Sequence, residues 1–185
     1  MKTIYVATRK LHTLVDELVV VPSFYKGHYK DATKAGYVLL SEILERYLGI
    51  RYDAESIQRL PGGKPVDSRG MFMFSYSHSG DFVMCAVGDQ DLGVDIECTR
   101  EVDTRVLQRL LSQQDVIDRI DPLRAWVAKE AYAKYTGKGI AEGFSKLSVT
   151  QLELDHPNAA YENPDYRSAI FYTEEDTVIE SINPL

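Results

Sequence analysis

Three short apolar segments between residues 71 and 97 constrain the fold more than any other feature of the sequence. The segments MFMFSY (71–76) and FVMCAV (82–87) have strand character, and they are joined through His78-Ser79-Gly80-Asp81. This arrangement predicts a β-hairpin. A further turn at 88–91 leads into LGVDIE (92–97), which predicts a third strand. A sheet is therefore expected in the middle of the chain.

Helical periodicity and more strand-like segments flank this sheet on both sides. Apolar residues recur at helical spacing over 31–48, and turn-forming residues bound a helix at 122–136. A further helix is expected near 103–111, and further strands at 3–7, 145–154, 167–172 and 176–182. Each half runs strand, helix, then strands, which predicts two similar α+β subdomains over 1–90 and 91–185 with a cleft between them. No sequence repeat supports a duplication.

Charge and composition exclude several classes of protein. The net charge of −7 lies in residues 151–185, which hold one base and eight acids, whereas residues 1–150 hold 20 of each. A duplex-DNA partner is not expected without a basic excess. No segment approaches the roughly 18 apolar residues of a membrane span. Cys85 and Cys98 match no zinc or redox spacing, so we expect reduced thiols in a cytoplasmic protein.

Asp95 and Glu97 lie two residues apart on the strand expected at 92–97, so both should face the same way. Two solvated acids on an exposed strand are the usual alternative for such a pair. Here Gly93, Val94 and Ile96 are expected to make the opposite face apolar. The acidic face is therefore expected to look into a cleft beside the core, where one cation could bridge the two carboxylates.

Glu130 lies on the helix expected at 122–136, one turn from both Trp126 and Lys134. A solvated glutamate–lysine pair on a wet helix face is the alternative interpretation. The remaining neighbours are apolar, and a carboxylate in such surroundings needs a compensating partner such as a cation. Lys134 and Lys138 place two positive charges at the C-terminal end of this helix. Three acids and lysines converging on one cleft would suit a magnesium pyrophosphate.

Two further segments carry possible anion ligands. Ser77 and His78 could donate hydrogen bonds to phosphate, although on these residues alone a plain turn is the favoured interpretation. They do not form a nucleophile motif. A second candidate site for an anionic ligand lies around the start of the first helix. It consists of Lys26, His28, Lys30 and Lys34.

Four motifs occur in one order along the middle 75 or so residues. They are Gly63-Lys64-Pro65, FSYSHSGD (74–81), LGVDIE (92–97) and WVAKEAYAKYTGKG (126–139). In these motifs the chain resembles the 4′-phosphopantetheinyl transferases, in particular the surfactin-synthetase-activating type. The resemblance implies a magnesium-dependent enzyme that moves phosphopantetheine from coenzyme A to a serine of an apo acyl, aryl or peptidyl carrier protein, releasing adenosine 3′,5′-bisphosphate. It also implies a monomer of two α+β subdomains related by a pseudo-twofold axis.

The resemblance also implies roles for individual residues. Asp95, Glu97 and Glu130 would hold Mg²⁺, and Lys134 would contact the coenzyme A phosphates and neutralise charge. Glu130, or a metal-bound water near Asp95 or Glu97, would accept the proton of the carrier serine. The remaining contacts to coenzyme A fall on a wider set of residues. Ser77 and His78 would hold phosphates, Lys64 would lie near the adenine, and Lys26, Lys30 and Lys34 are candidates for the 3′-phosphate.

This sequence departs from the family pattern in places. Ser75 and Tyr76 stand where the family more often has Asn and Ile, which removes no proposed ligand. Arg105 and Arg109 are expected on one helix edge, where they would suit an acidic carrier-protein helix, although a solvated basic face is the plainer alternative. Two other functions remain open. They are a catalytically silent module that binds coenzyme A or a carrier, and another magnesium-dependent nucleotide or pyrophosphate enzyme.

Overall fold

The computed structural model describes residues 2–99, 109–139 and 143–182. Nine strands and four α-helices lie in these ranges, which confirms the mixed α+β class. The strands are β1 (Lys2–Lys10), β2 (Ile57–Arg59), β3 (Pro65–Asp67), β4 (Met73–Ser79), β5 (Phe82–Gly88), β6 (Leu92–Cys98), β7 (Asn158–Glu162), β8 (Tyr166–Tyr172) and β9 (Thr177–Ile182). The helices are α1 (Asp31–Ile43), α2 (Gln113–Ile117), α3 (Pro122–Thr136) and α4 (Val149–Asp155).

The first sheet has the strand order β4-β5-β1-β9, and α1 packs against it. β1 pairs with β5 in antiparallel register and with β9 in parallel register. The strand near the end of the chain therefore lies in the sheet that the N-terminal half begins. Buried residues of α1, among them Tyr37, Leu40 and Ile43, form a core against this sheet.

The second sheet has the order β6-β8-β7, and α3 covers one of its faces. Its other face packs against the first sheet, because Ile4 and Met84 share one buried cluster with Val94, Ile96 and Ile170. β6 therefore lies between the first sheet and α3. Asp95 and Glu97 lie on this central strand.

The strongest sequence signals are confirmed. α3 begins after Asp121, whose side chain accepts from the backbone N–H of Arg124, and it ends at Gly137 with φ +67°. α1 continues into one π-helical turn, Leu44–Leu48, which Gly49 closes. The strands expected at 3–7, 92–97, 167–172 and 176–182 are present. Cys85 and Cys98 are both free thiols.

Several expectations were wrong in detail. The segment expected as a strand at 145–154 is a 3₁₀ turn followed by α4, which begins where Ser148 Oγ accepts from the backbone N–H of Gln151. The hairpin strand reaches Ser79, so Ser77 and His78 belong to β4 and not to the turn. The sequence analysis also missed the hairpin of β2 and β3, the short helix α2, and β7. The helix expected near 103–111 lies mostly outside the described residues, and Arg109 stands in a turn.

Within the described ranges, no helix is both long and apolar enough to cross a membrane. The division of the chain at residues 90 and 91 stays a prediction.

Candidate active site

Helix α3 lies directly against β6 at Gly93. A Cβ atom at Gly93 would lie 2.1 Å from the backbone nitrogen of Tyr135 and 2.4 Å from the carbonyl oxygen of Ala131. Glycine therefore permits this close approach of strand and helix. Because side chains alternate along a strand, Gly93 shares the helix-facing side of β6 with Asp95 and Glu97. The expectation that Gly93 belongs to the opposite, apolar face was wrong.

A row of serines on β4 ties that strand to β6. Ser75 Oγ accepts a hydrogen bond from the backbone N–H of Val94 at 3.1 Å. Ser77 Oγ donates to Asp95 Oδ1 at 2.7 Å. Ser79 Oγ donates to a carboxylate oxygen of Glu97. The alternating pattern S-Y-S-H-S over 75–79 therefore fixes the position of β6 and of both its acids.

Asp95 is buried, with 4% of its surface exposed. Its Oδ1 accepts from Lys134 Nζ at 2.7 Å as well as from Ser77, and Lys134 Nζ also donates to Ser77 Oγ at 2.8 Å. Burial raises the pKa of the Asp95 carboxyl, and the Lys134 ammonium and the hydrogen bonds oppose that rise. Asp95 Oδ2 is buried and has no hydrogen-bond partner.

Glu97 is half-buried next to Trp126 of α3. The indole Nε1 of Trp126 donates to Glu97 Oε1 at 3.2 Å. The indole ring itself packs edge-on against Phe144, with ring centroids 5.6 Å apart. Trp126 thus positions Glu97 from the helix side, while Ser79 positions it from the strand side.

Glu130 lies one turn before Lys134 on α3 and is half-buried. Burial raises the pKa of its carboxyl, the negative charges of Asp95 and Glu97 raise it further, and the Lys134 charge opposes them. The three acids are thus close enough to affect one another electrostatically. This is an environment that an added cation would stabilise.

Mg²⁺ takes oxygen ligands from a few carboxylates together with phosphate oxygens and water. No group of three or more His, Cys, Asp or Glu side chains in the described part of the chain is arranged to hold a metal ion. The unpartnered Asp95 Oδ2 and the mutual repulsion of the three acids nevertheless fit a cation at this point. The assignment of Asp95, Glu97 and Glu130 as metal ligands stays a prediction.

A cavity of about 580 Å³ opens beside these residues. Its lining joins the turn before β3, strand β4 and the second half of α3. Five of the candidate site residues predicted from the sequence line the cavity: Lys64, Ser77, His78, Glu130 and Lys134.

Lys30 and Lys34 lie outside the lining of this cavity. Lys34 Nζ donates to the carbonyl of Val15 at 2.8 Å, and neither Lys34 nor Lys30 belongs to the described lining of the cavity. Lys30 is nevertheless near His78. Burial lowers the pKa of His78, and the charges of Lys134 and Lys30 lower it further. His78 is thus predominantly neutral near pH 7, where it can donate one hydrogen bond.

Lys64 has its amino group turned toward the second sheet and α3. Lys64 Nζ donates to the carbonyl of Tyr135 at 3.0 Å and to that of Leu92 at 3.3 Å, and it lies 3.7 Å from an Asp91 carboxylate oxygen. Burial lowers the pKa of Lys64, and Asp91 opposes this. The amino group of Lys64 thus already donates to two carbonyl oxygens, and the position of Lys64 at the adenine of coenzyme A stays a prediction.

Sequence analysis missed Arg59, Tyr25 and Tyr76 as lining residues of the cavity. Arg59 precedes the Gly-Gly-Lys turn and lies in β2, a strand that was not expected. Tyr25 Oη and Tyr76 Oη are hydrogen-bonded at 2.8 Å. The only available signal was that Tyr76 stands where the family more often has an apolar residue.

Residues 91–181 match the model of the 4′-phosphopantetheinyl transferase superfamily. This segment contains β6 and α3, and therefore all three acids and Lys134. This segment of the chain is therefore similar to the superfamily. A 4′-phosphopantetheinyl transferase of Bacillus pumilus, psf-1, is 31% identical over 131 residues, which cover 65% of this chain and 56% of the relative.

Two other 4′-phosphopantetheinyl transferases are also similar. Sfp of Bacillus subtilis is 26% identical over 80% of this chain and 76% of its own length. HetI of a Nostoc strain is 29% identical over 75% of this chain and 64% of its own length. The chain thus spans little more than half of the Bacillus pumilus relative and about two thirds to three quarters of the other two.

Proposed function

We propose that this protein transfers 4′-phosphopantetheine from coenzyme A to a serine of an apo carrier protein and releases adenosine 3′,5′-bisphosphate. The observation that carries the proposal is the contact of Lys134 with Asp95 and Ser77 at the edge of the cavity. It sets an ammonium and a hydroxyl beside a carboxylate whose second oxygen has no partner. The names of the similar proteins support the same reaction.

The reaction forms one bond and breaks one. The serine oxygen of the carrier bonds to the phosphorus that bears pantetheine, and the pyrophosphate bond to the nucleotide breaks. Because the phosphorus is surrounded by negative oxygens, positioning and cationic stabilisation are the main contributions a protein can make. Lys134 neutralises charge on the leaving phosphate, and Ser77 and neutral His78 donate hydrogen bonds to phosphate oxygens.

The proton of the carrier serine goes to Glu130. Glu130 lines the cavity one helical turn before Lys134, where its carboxylate can accept that proton. Mg²⁺, held by Asp95, Glu97 and Glu130, supplies a positive charge at the pyrophosphate when bound. We further propose that the halves 1–90 and 91–185 are related by a pseudo-twofold axis, since each places one long helix on a sheet, and that the protein is a cytoplasmic monomer.

The test is the mass of an apo carrier after incubation with the protein, coenzyme A and Mg²⁺. Carriers from fatty-acid, polyketide and peptide synthesis are tried in turn, and at least one is expected to gain phosphopantetheine. Asp95→Ala and Glu130→Ala are expected to abolish the gain while remaining folded by circular dichroism. Wild-type protein that modifies none of the carriers would contradict the function. Full activity of either variant would contradict the metal assignment.

The docking surface for the carrier is proposed at Arg105 and Arg109. Arg105 lies outside the described residues, and Arg109 is exposed. Reversing both charges to Glu is expected to weaken carrier turnover far more than coenzyme A binding, because only the acidic carrier would meet them. An equal loss of both would contradict this docking site.

A further inference from the structure

Lys129 is a cation of α3 that is fully buried and stands outside the described lining of the cavity. Its Nζ donates to a carboxylate oxygen of Asp115 on α2, to the carbonyl of Leu110 at 2.7 Å and to the carbonyl of Phe144 at 3.0 Å. An ammonium group has three protons to donate, and here each of them has an acceptor. Lys129 therefore fastens three separate stretches of the chain to α3.

Asp115 extends this buried network. It too is fully buried, and its Oδ2 accepts from the backbone N–H of Ser112 at 2.8 Å as well as from Lys129. Its Oδ1 accepts from the backbone N–H of Val149 at 2.8 Å. Both carboxylate oxygens thus have partners, and a buried polar network that is fully satisfied is rigid. The pair therefore fixes where Phe144 lies relative to α3.

Phe144 connects the buried pair with the candidate metal ligands. Its ring packs against the indole of Trp126, with centroids 5.6 Å apart and ring planes at 87°. The indole Nε1 in turn donates to Glu97 Oε1 at 3.2 Å. Because an indole N–H lies in the plane of its ring, a shift or rotation of that ring turns the donor away from Glu97. The contacts from Lys129 through Phe144 and Trp126 to Glu97 are therefore continuous.

We propose that Lys129 and Phe144 are positioning residues that hold Glu97, through Trp126, in the orientation that binds a divalent cation. The assignment rests on the proposed function, in which Glu97 is a ligand of Mg²⁺. Groups that support a metal ligand from behind orient it, and the loss of one typically weakens metal affinity about 10- to 100-fold. Asp95 is held by Lys134 instead, so the binding of coenzyme A without metal does not depend on this route.

Two calorimetric titrations test the assignment. Mg²⁺ is titrated into protein saturated with coenzyme A, and coenzyme A is titrated into metal-free protein. Lys129→Met is expected to weaken Mg²⁺ binding about 10-fold or more and to leave the metal-free affinity for coenzyme A within about twofold. Phe144→Leu keeps the carbonyl and an apolar side chain but loses the ring. It is expected to weaken Mg²⁺ binding in the same direction.

A second measurement follows the ring of Trp126 without metal or substrate. Trp126 is the only tryptophan of the chain, so the tryptophan fluorescence reports on this one ring. Both variants are expected to increase the quenching of that fluorescence by acrylamide, because the ring loses its packing. Ile43→Ala is the matched control, since Ile43 is fully buried in the core between α1 and the first sheet. Its truncation is expected to lower the Tm but to change neither Mg²⁺ affinity nor quenching.

The outcomes separate this assignment from the proposed function. If the wild-type protein with coenzyme A binds no Mg²⁺, the metal assignment is wrong and the positioning role is wrong with it. If the wild type binds Mg²⁺ and both variants bind it equally well, the proposed function stands and Lys129 and Phe144 only stabilise the fold. An equal loss of Mg²⁺ affinity in Ile43→Ala would also overturn the role, because the loss would then follow stability alone. If Lys129→Met shows no melting transition, Phe144→Leu decides.

Discussion

The close contact at Gly93 makes a sharp prediction for Gly93→Ala. The added Cβ would meet backbone atoms at 2.1, 2.4 and 2.7 Å, and backbone cannot turn aside as a flexible side chain can. Because ordinary contacts begin near 3.5 Å, α3 would have to move away from β6 by roughly 1 Å or more. Overpacking of this kind costs about 1–3 kcal/mol, which corresponds to a Tm lower by roughly 2–12 °C at this chain length.

The same displacement separates Glu130 and Lys134 from Asp95. A misplacement of about 1 Å can lower a rate roughly 100-fold. The assay is phosphopantetheine transfer at a temperature well below the Tm of the variant, so that unfolding does not contribute. Gly88→Ala is the matched control, because it is also a strand glycine, but its added Cβ would first meet a side-chain atom of Ile4 at 3.0 Å. A Gly93→Ala protein with wild-type Tm and wild-type transfer rate would refute the reasoning.

Three further predictions follow from individual contacts. Lys129→Met leaves Asp115 buried without its ammonium partner, so the free energy of unfolding in urea should fall by about 3–5 kcal/mol; an unchanged midpoint would contradict this. Lys64→Met leaves carbonyls of β6 and α3 without a donor and should cost about 1–3 kcal/mol by the same measurement, and Lys64→Arg should cost less. Because the pKa of Glu130 is raised, the stability of the metal-free protein falls as the pH rises through that pKa. The Tm of Glu130→Gln should therefore exceed the wild-type Tm at about pH 8 and equal it at about pH 4, and equal Tm values at both would contradict the shift.

Local patterns predicted the two elements that carry the acids. The helix at 122–136 is bounded by Asp121 and Gly137, and both act at its ends as expected. The segment 92–97 alternates in the way that a strand requires, so Asp95 and Glu97 could be placed on one face. In both cases the signal lies within the segment itself, and neighbouring elements only reinforce it.

Other features depend on partners that are distant in sequence. β9 was expected as a strand, but its parallel pairing with β1 joins residues at opposite ends of the chain. The hydrogen bond from Lys34 Nζ to the carbonyl of Val15 depends on how the segment before α1 is folded. The place of Arg59 in the cavity wall depends on the rings of Phe24 and Tyr25, which lie more than 30 residues away in sequence. The helix at 149–155 is different, because its Ser148 cap was a local signal that the strand interpretation overlooked.

The most direct test of the central claim measures both products in one quenched sample. Wild-type protein is incubated with coenzyme A, Mg²⁺ and a competent apo carrier, and the modified carrier and adenosine 3′,5′-bisphosphate are quantified together. Transfer through the Lys134–Asp95–Ser77 contact predicts equal molar amounts of the two. Release of adenosine 3′,5′-bisphosphate without modified carrier would instead indicate a pyrophosphate hydrolase, and would contradict the assignment of this cavity to group transfer.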